Sequence, residues 1–410
     1  IILSHAHIDH SGLIPFLYKN GFRGSIICTH ATRDLCSIML ADSAHIQELD
    51  VKWFNKKRAR QGLPPVDPIY NIEDAENCMD LFIGVAYNRR FYINDKISVK
   101  FTNTGHLLGS AVVNLRIIEN DRKIDIAYTG DIGRPYNHIL RPPDPFLPCN
   151  YLITESTYGD RLHPEPQQSE EELLKIVWET CVLNKGKLII PAFSIGRTQE
   201  IVFMLNTFYN KGLLPKIEIF VDSPLSVNAT DIYRLYSESL NKEVKEVLKY
   251  DNDPFGFNSL HYIKNVDESK ALNTYYKPCI IISASGMLEA GRVKHHVANN
   301  IENPRNTILI VGYCAPTTLG ARLQQPGLRE ISIFGQIHKV KARIAKIEAL
   351  SGHGDYKEMI SFLKCQSPSQ IKKTFLVHGD YETQVFYREE LKKVGFRRVE
   401  IPDVEQEFTL

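Results

Sequence analysis

Four side chains able to hold a metal ion, His5, His7, Asp9 and His10, fall within six positions of the opening stretch "IILSHAHIDHSGLIP". His5 and His7 stand two apart on an extended segment and so project to one side of it, while Asp9 and His10 follow as the chain turns. Imidazole nitrogen and carboxylate oxygen suit Zn²⁺, with Mn²⁺ or iron also compatible with the donor set, and a cluster of this size can serve two ions. The competing reading is a group of surface histidines ahead of a helix.

Other residues of the same chemistry recur singly beside glycine, just after strand-like runs: His106 in "NTGHLLGSA", Asp131 in "YTGDIG", His353 in "LSGHGDY" and His378 in "LVHGD". Glycine permits a sharp exit from a strand and leaves room for an ion or substrate. A second set looks suited to phosphate. "SASGMLEAGRVKHH" places Ser283, Ser285, Gly286 and Arg292 between a strand and a helix, where backbone N–H groups and a guanidinium can hold anions. Arg197 in "PAFSIGRTQE", Asp222 and Ser223 in "FVDSPLS", and Thr318 and Arg322 in "GYCAPTTLGARL" stand at comparable junctions. Each of these has a plainer reading as a turn residue or a helix cap. The run "KKRAR" at 56–60, near Trp53 and Phe54, reads first as a solvated helical face and second as a nucleic-acid track.

The elements that must position these residues follow from hydrophobic period. Residues 98–117 read as paired strands around a glycine-flanked loop, and "KIDIAYTGDIG" as a strand and loop. From about residue 165 helical and strand patterns alternate, which predicts parallel βαβ units. After 340 the chain returns to strand and loop in "RIAKIEALSGHGDY" and "KKTFLVHGDYE". This divides the chain into a first domain of residues 1–164 and 341–410 and an inserted domain of 165–340.

Composition permits this. With 410 residues, 43% hydrophobic and 24% charged, the chain supports two cores, and no apolar run approaches the ~18 residues that span a bilayer. A net charge of +1 excludes polyanion binding by the whole surface, so any nucleic-acid contact must be local. Eight cysteines without C-x-x-C pairing suit reduced thiols and a cytoplasmic setting.

The ordered set "HAHIDH", His106, Asp131, Glu155 in "ITESTYGDR", His353 and His378 resembles the metallo-β-lactamase-fold RNA-processing nucleases that carry a β-CASP domain, the family of the polyadenylation-factor endonuclease and of bacterial-type ribonucleases. The resemblance implies an α/β fold: an αββα metallo-β-lactamase sandwich with an inserted α/β β-CASP domain on a mostly parallel sheet. It implies two zinc ions, with Mn²⁺ as an alternative. One would be held by His5, His7, His106 and a bridging Asp131, the other by Asp9, His10, Asp131 and His378. It further implies that His353, oriented by Glu155, protonates the leaving oxygen, and that Asp9 can act as a base. The expected reaction is hydrolysis of single-stranded RNA, endonucleolytic with 5′-3′ exonuclease activity conceivable, by two-metal activation of a bridging water that leaves a 5′-phosphate. The family's strands upstream of the opening cluster are not in this chain, and the expected architecture is compact, with no membrane association and room for a homodimer. The alternatives are a DNA nuclease of the same superfamily, against which His378 argues, and a non-catalytic RNA-binding or scaffold homologue, which would have lost ligands.

Overall fold

The computed structural model describes residues 1–164, 167–348 and 350–410, and the chain divides into two compact units. The first comprises residues 1–135, 140–162 and 353–410. Its main sheet has seven strands in the order Val399–Glu400, Lys373–Val377, Tyr151–Glu155, Arg122–Tyr128, Ala111–Glu119, Ile97–Asn103 and Arg90–Tyr92. Pairing is antiparallel from Arg90–Tyr92 to Arg122–Tyr128 and parallel from there on. A smaller sheet pairs Ile26–Thr29 in parallel with Phe82–Val85, and a bridge from Ile2 to Ile27 joins the opening segment to it.

Side chains alternate across a strand, so a strand in the middle of the main sheet can feed two cores, as Ala111–Glu119 does. Ala111 and Val113 join Val99, Phe101, Ile27 and Val85 between the sheets. Val112, between them in sequence, joins Ala127, Leu152, Leu376, Met359, Leu363 and Tyr387 beneath the helices Tyr356–Leu363 and Tyr381–Lys393. The helix His30–Arg60 packs on the small sheet and completes the helix, sheet, sheet, helix layering expected of this unit. Thr29 caps that helix by accepting the Thr32 N–H at 3.2 Å, and its own hydroxyl donates to the Gly109 carbonyl at 2.7 Å, tying the helix start to the loop that carries His106.

The second unit, residues 136–139 and 163–352, is built on a six-stranded, wholly parallel sheet in the order Leu260–Ile263, Glu218–Asp222, Cys279–Ser283, Lys187–Pro191, Thr307–Ile310 and Arg343–Lys346. The central strand "CIIIS" is buried along its whole length, as a strand covered on both faces must be. The last strand differs from the sequence expectation. Arg343–Lys346, assigned above to the first domain, pairs with Thr307–Ile310 in this sheet, and the chain re-enters the first unit at His353. An alternating strand pattern reveals which faces are covered but not which sheet the strand joins. Among the described residues no helix is long and apolar enough to cross a membrane.

Phe101 is the largest of the fully buried side chains in the core between the two sheets of the first unit. Its replacement by Ala is expected to cost about 3–5 kcal/mol in urea unfolding of that unit; a loss below ~1 kcal/mol would show that the sheets do not depend on this contact.

Candidate metal centre

The ligand-type residues singled out in the first unit stand in loops that follow its extended segments or in the turn that opens the helix Ile8–Ser11. The bridge at Ile2 sends the chain past Ser4 and His5 to His7, which precedes the short helix Ile8–Ser11 carrying Asp9 and His10. The Ser11 hydroxyl donates to the carbonyls of Ala6 and His7 at 2.9 and 3.0 Å and fixes the turn. His106 lies in the loop between Ile97–Asn103 and Ala111–Glu119, where the Ser110 hydroxyl accepts the N–H groups of His106 and Leu107, both at 3.1 Å. Asp131 follows Arg122–Tyr128, Glu155 ends Tyr151–Glu155, and His378 follows Lys373–Val377.

Two close approaches lock these loops together. A Cβ on Gly133 would sit 2.1 Å from the Gly105 carbonyl oxygen, so the Asp131 and His106 loops can touch only through glycine. His378 has φ 54°, a left-handed conformation that a non-glycine residue adopts at some cost. It is held there by the Ser156 N–H and the Thr157 hydroxyl, which donate to its carbonyl at 3.4 and 3.1 Å.

The result is one buried carboxylate facing two groups of donors. Asp131 is 2% exposed. Its Oδ2 lies 3.3 Å from His5 Nε2 and 3.4 Å from His106 Nε2, and His7 Nδ1 is 3.2 and 3.1 Å from the same two nitrogens. Its Oδ1 lies 3.3 Å from His10 Nε2 and 3.6 Å from His378 Nδ1, and Asp9 Oδ2 is 3.2 Å from His378 Nε2. Ligand atoms of His5, His7, His106 and Asp131 all lie within 4.8 Å of one another, as do those of Asp9, His10 and His378.

The donor set fits divalent cations. His10 Nε2 and Asp131 Oδ1 are buried and have no hydrogen-bond partner, although they face each other. Burial, followed by the nearby His5, lowers the His7 pKa to about 3, and burial together with His353 puts His106 well below the ordinary imidazole range, so both present lone pairs. Burial opposes ionisation of Asp131, but His5, His10 and His106 outweigh it and hold the carboxyl well below its usual range. The Thr157 hydroxyl donates to the His378 carbonyl and therefore accepts from His378 Nδ1 at 2.9 Å. His378 Nε2 lies 3.2 Å from Asp9 Oδ2, where a protonated imidazole donates to the carboxylate, which raises the His378 pKa, and a deprotonated one leaves both atoms to a cation.

Glu155 and His353 form a third group with Asp131. His353 Nδ1 lies 3.0 Å from Glu155 Oε2, and the Ile132 N–H donates to Glu155 Oε1. Burial would lower the His353 pKa, but the charge and hydrogen bond of Glu155 overcome it and raise the value to about 9. Arg161, six residues on in the same motif, pairs with Asp160 at 2.8 Å. Two supporting residues escaped the sequence reading: Ser4, whose hydroxyl is 3.1 Å from His5 Nδ1, and Thr157. Ser4 adjoins His5 in "SHAH" and Thr157 stands two residues after Glu155 in "TEST", with no spacing that marks either as a partner of an imidazole.

In the second unit the phosphate-type residues are largely engaged with one another. Asp222 is fully buried and accepts from Arg292 Nη1 at 2.6 Å and from Ser269 Oγ at 2.5 Å, with His296 Nε2 at 2.6 Å. Ser283 donates to the Asp222 carbonyl at 2.7 Å, Arg197 pairs with Glu200, and Ser223 and Thr318 cap the helices Pro224–Leu235 and Leu319–Leu323. Ser285 accepts from the Glu289 and Ala290 N–H groups at 3.3 and 3.4 Å, and Gly286 lies against the Phe193 ring. Of the arginines in this set, Arg322 is exposed and has no side-chain partner among the described residues.

Comparison with known proteins agrees with this geometry. The Beta-Casp domain family profile matches residues 198–323, and that of the Zn-dependent metallo-hydrolase RNA specificity domain matches residues 337–402. An RNase J-like protein of Methanocaldococcus jannaschii is 35% identical over 93% of this chain and 81% of its own length, and a ribonuclease of Thermus thermophilus is 30% identical over the same shares. The transcription termination factor FttA of M. jannaschii is 32% identical over 98% of this chain and 62% of its own length. The chain thus spans less than two thirds of that factor and, at 58%, of its Methanococcus maripaludis counterpart. A protein of unknown function from Enterococcus faecalis shares the fold, with a TM-score of 0.51 at 14% identity over 98% of this chain and 79% of that one.

If both donor groups draw on Asp131, its replacement by Ala is expected to lower the divalent metal recovered with the folded protein from about two equivalents to less than one. Elemental analysis finding two equivalents in the variant would contradict the shared carboxylate.

Proposed function

As the chain belongs to the β-CASP family of metallo-β-lactamase-fold RNA nucleases, we propose that it is a metal-dependent ribonuclease that hydrolyses single-stranded RNA and leaves a 5′-phosphate. The observation that supports this most is the position of Asp131, one oxygen toward His5, His7 and His106 and the other toward His10, His378 and Asp9. His5, His7, His106 and Asp131 would hold one ion and Asp9, His10, Asp131 and His378 the other, with zinc the ion favoured by the donors. Two bound divalent ions supply Lewis-acid activation of water and neutralise charge on a phosphodiester.

The protein's own residues then handle protons. Glu155 takes His353 Nδ1, so a proton can leave only from Nε2, and the Ile132 N–H fixes the carboxylate that sets this orientation. His353 would protonate the departing alkoxide, with Glu155 as its positioning residue. Burial opposes ionisation of Asp9, but the hydrogen bond from His378 and the charge of His10 hold it well below the usual carboxylate range. A carboxylate so acidic is suited to orienting water more than to keeping its proton.

The reading of His353 is tested by a pair of variants. His353→Ala should retain its metal and lose about 10²–10⁴-fold in kcat. Glu155→Gln removes the charge that raises the His353 pKa, so the imidazolium loses its proton at lower pH and the alkaline fall in kcat should move downward in pH. Loss of metal from His353→Ala, or an unmoved alkaline limb in Glu155→Gln, would contradict these roles.

A further inference from the structure

The long helix His30–Arg60 ends in a surface that the metal centre does not use. Over residues 49–60 it carries Lys52, Lys56, Lys57, Arg58 and Arg60 against the single acid Asp50, in a chain whose net charge is only +1. Lys52, Lys56, Lys57 and Arg60 are exposed and have no ion-pair or hydrogen-bond partner among the described residues. At ~100° per residue, Leu49, Trp53, Lys56, Lys57 and Arg60 share one face, with the indole in the middle and cations around it. Trp53 is 69% exposed, more than an indole held only for packing would be.

The helix end is braced from its opposite side. Asn55 Nδ2 donates to the Val66 carbonyl at 2.8 Å and its Oδ1 accepts the Val66 N–H at 2.9 Å, while Arg58 Nε donates to the Pro64 carbonyl at 2.7 Å. Lys19 Nζ donates to the carbonyls of Pro68 and Ile69 at 3.2 and 3.1 Å. The loop after the helix is thereby laid back along it on the side away from Trp53, where Glu48, Lys52, Lys56, Val66, Asp67 and Pro68 line a shallow groove. A fixed, unpaired cationic stripe beside an exposed indole is complementary to a strand that offers phosphates and unpaired bases at once.

We propose that this face is a distal binding surface for single-stranded RNA, with Trp53 stacking on a base and Lys56, Lys57 and Arg60 contacting phosphates. The proposal rests on the ribonuclease reading and adds a place where the strand is held away from the metal centre. The helix begins at the His106 loop, to which Thr29 and Thr32 are bonded through the Gly109 carbonyl. Trp53 lies some 30 Å further along the axis at a rise of ~1.5 Å per residue. At a stacked rise of ~3.4 Å per nucleotide, a strand must extend up to about ten nucleotides from the scissile bond to touch both. The surface therefore acts on long RNA and is out of reach of short RNA.

The chain contains two tryptophans, and Trp178 lies in the second unit, so Trp178→Phe isolates the fluorescence of Trp53. Phosphorothioate single-stranded RNA of about 30 nucleotides should quench that fluorescence, and RNA of about five nucleotides should not. Lys56→Ala/Lys57→Ala/Arg60→Ala should bind the long RNA about tenfold more weakly and lower the slope of log affinity against log salt by roughly two, at ~0.7 per phosphate contact. Cleavage of short RNA and of bis-p-nitrophenyl phosphate should match the unsubstituted protein. Inability of the unsubstituted protein to cleave either would count against the ribonuclease reading alone, since the binding arms report on the helix face independently. Unchanged fluorescence with the long RNA, or an unchanged salt slope in the triple variant, would overturn the proposal. A fluorescence response to polyglutamate but not to RNA would also overturn it, in favour of an acidic protein partner.

Discussion

A carboxylate removed from water is costly unless its charge is met by hydrogen bonds or opposite charge. Asp131 is in that position, and the first unit is arranged around it. Its flanking glycines bring its loop against the loops of Ser4 and His106, and the Gly354 N–H donates to the Ile132 carbonyl at 2.8 Å, so the His353 segment is anchored beside it. Six imidazoles and two further carboxylates are thus carried to one place by the loops and turns that follow the strands. His7 and His106 are kept neutral by burial while Asp131 itself stays ionised, which is the charge state a divalent ion requires of its ligands.

The second unit solves a similar problem without open valences. Asp222 is as buried as Asp131, but Arg292, His296 and Ser269 meet its oxygens directly at 2.5–2.6 Å. Arg292 also donates to the Lys264 carbonyl at 2.7 Å, which commits its guanidinium on two sides. The contrast lies in saturation: Asp222 is met by protein donors, whereas Asp131 Oδ1 and the facing His10 Nε2, 3.3 Å apart, have no hydrogen-bond partner among the described residues.

The candidate site was legible in the sequence because its histidines and carboxylates crowd at 5–10 and elsewhere stand beside glycine after a strand, and the structure brings them together. The layered α/β architecture was legible for the same reason that Val112 and Val113 face opposite cores: the period of two survives in the sequence. What pattern could not supply was partnership. "RIAK" reads as a strand whichever sheet receives it, and it joined the second unit. Arg292, Ser283 and Thr318 have the types and positions of phosphate ligands, yet the structure shows each bonded within its own unit. Thr157 and Ser4 were invisible because a hydroxyl orienting an imidazole leaves no spacing to detect.

The central claim is that one carboxylate couples two metal positions, and electron paramagnetic resonance of the full chain loaded with Mn²⁺ tests it most directly. Two Mn²⁺ ions joined through Asp131 would lie within a few ångströms of each other and share a bridging ligand. The account predicts that, as loading approaches two equivalents, the spectrum of isolated Mn²⁺ gives way to that of an exchange-coupled pair. Two equivalents bound with only the uncoupled mononuclear signal would contradict it.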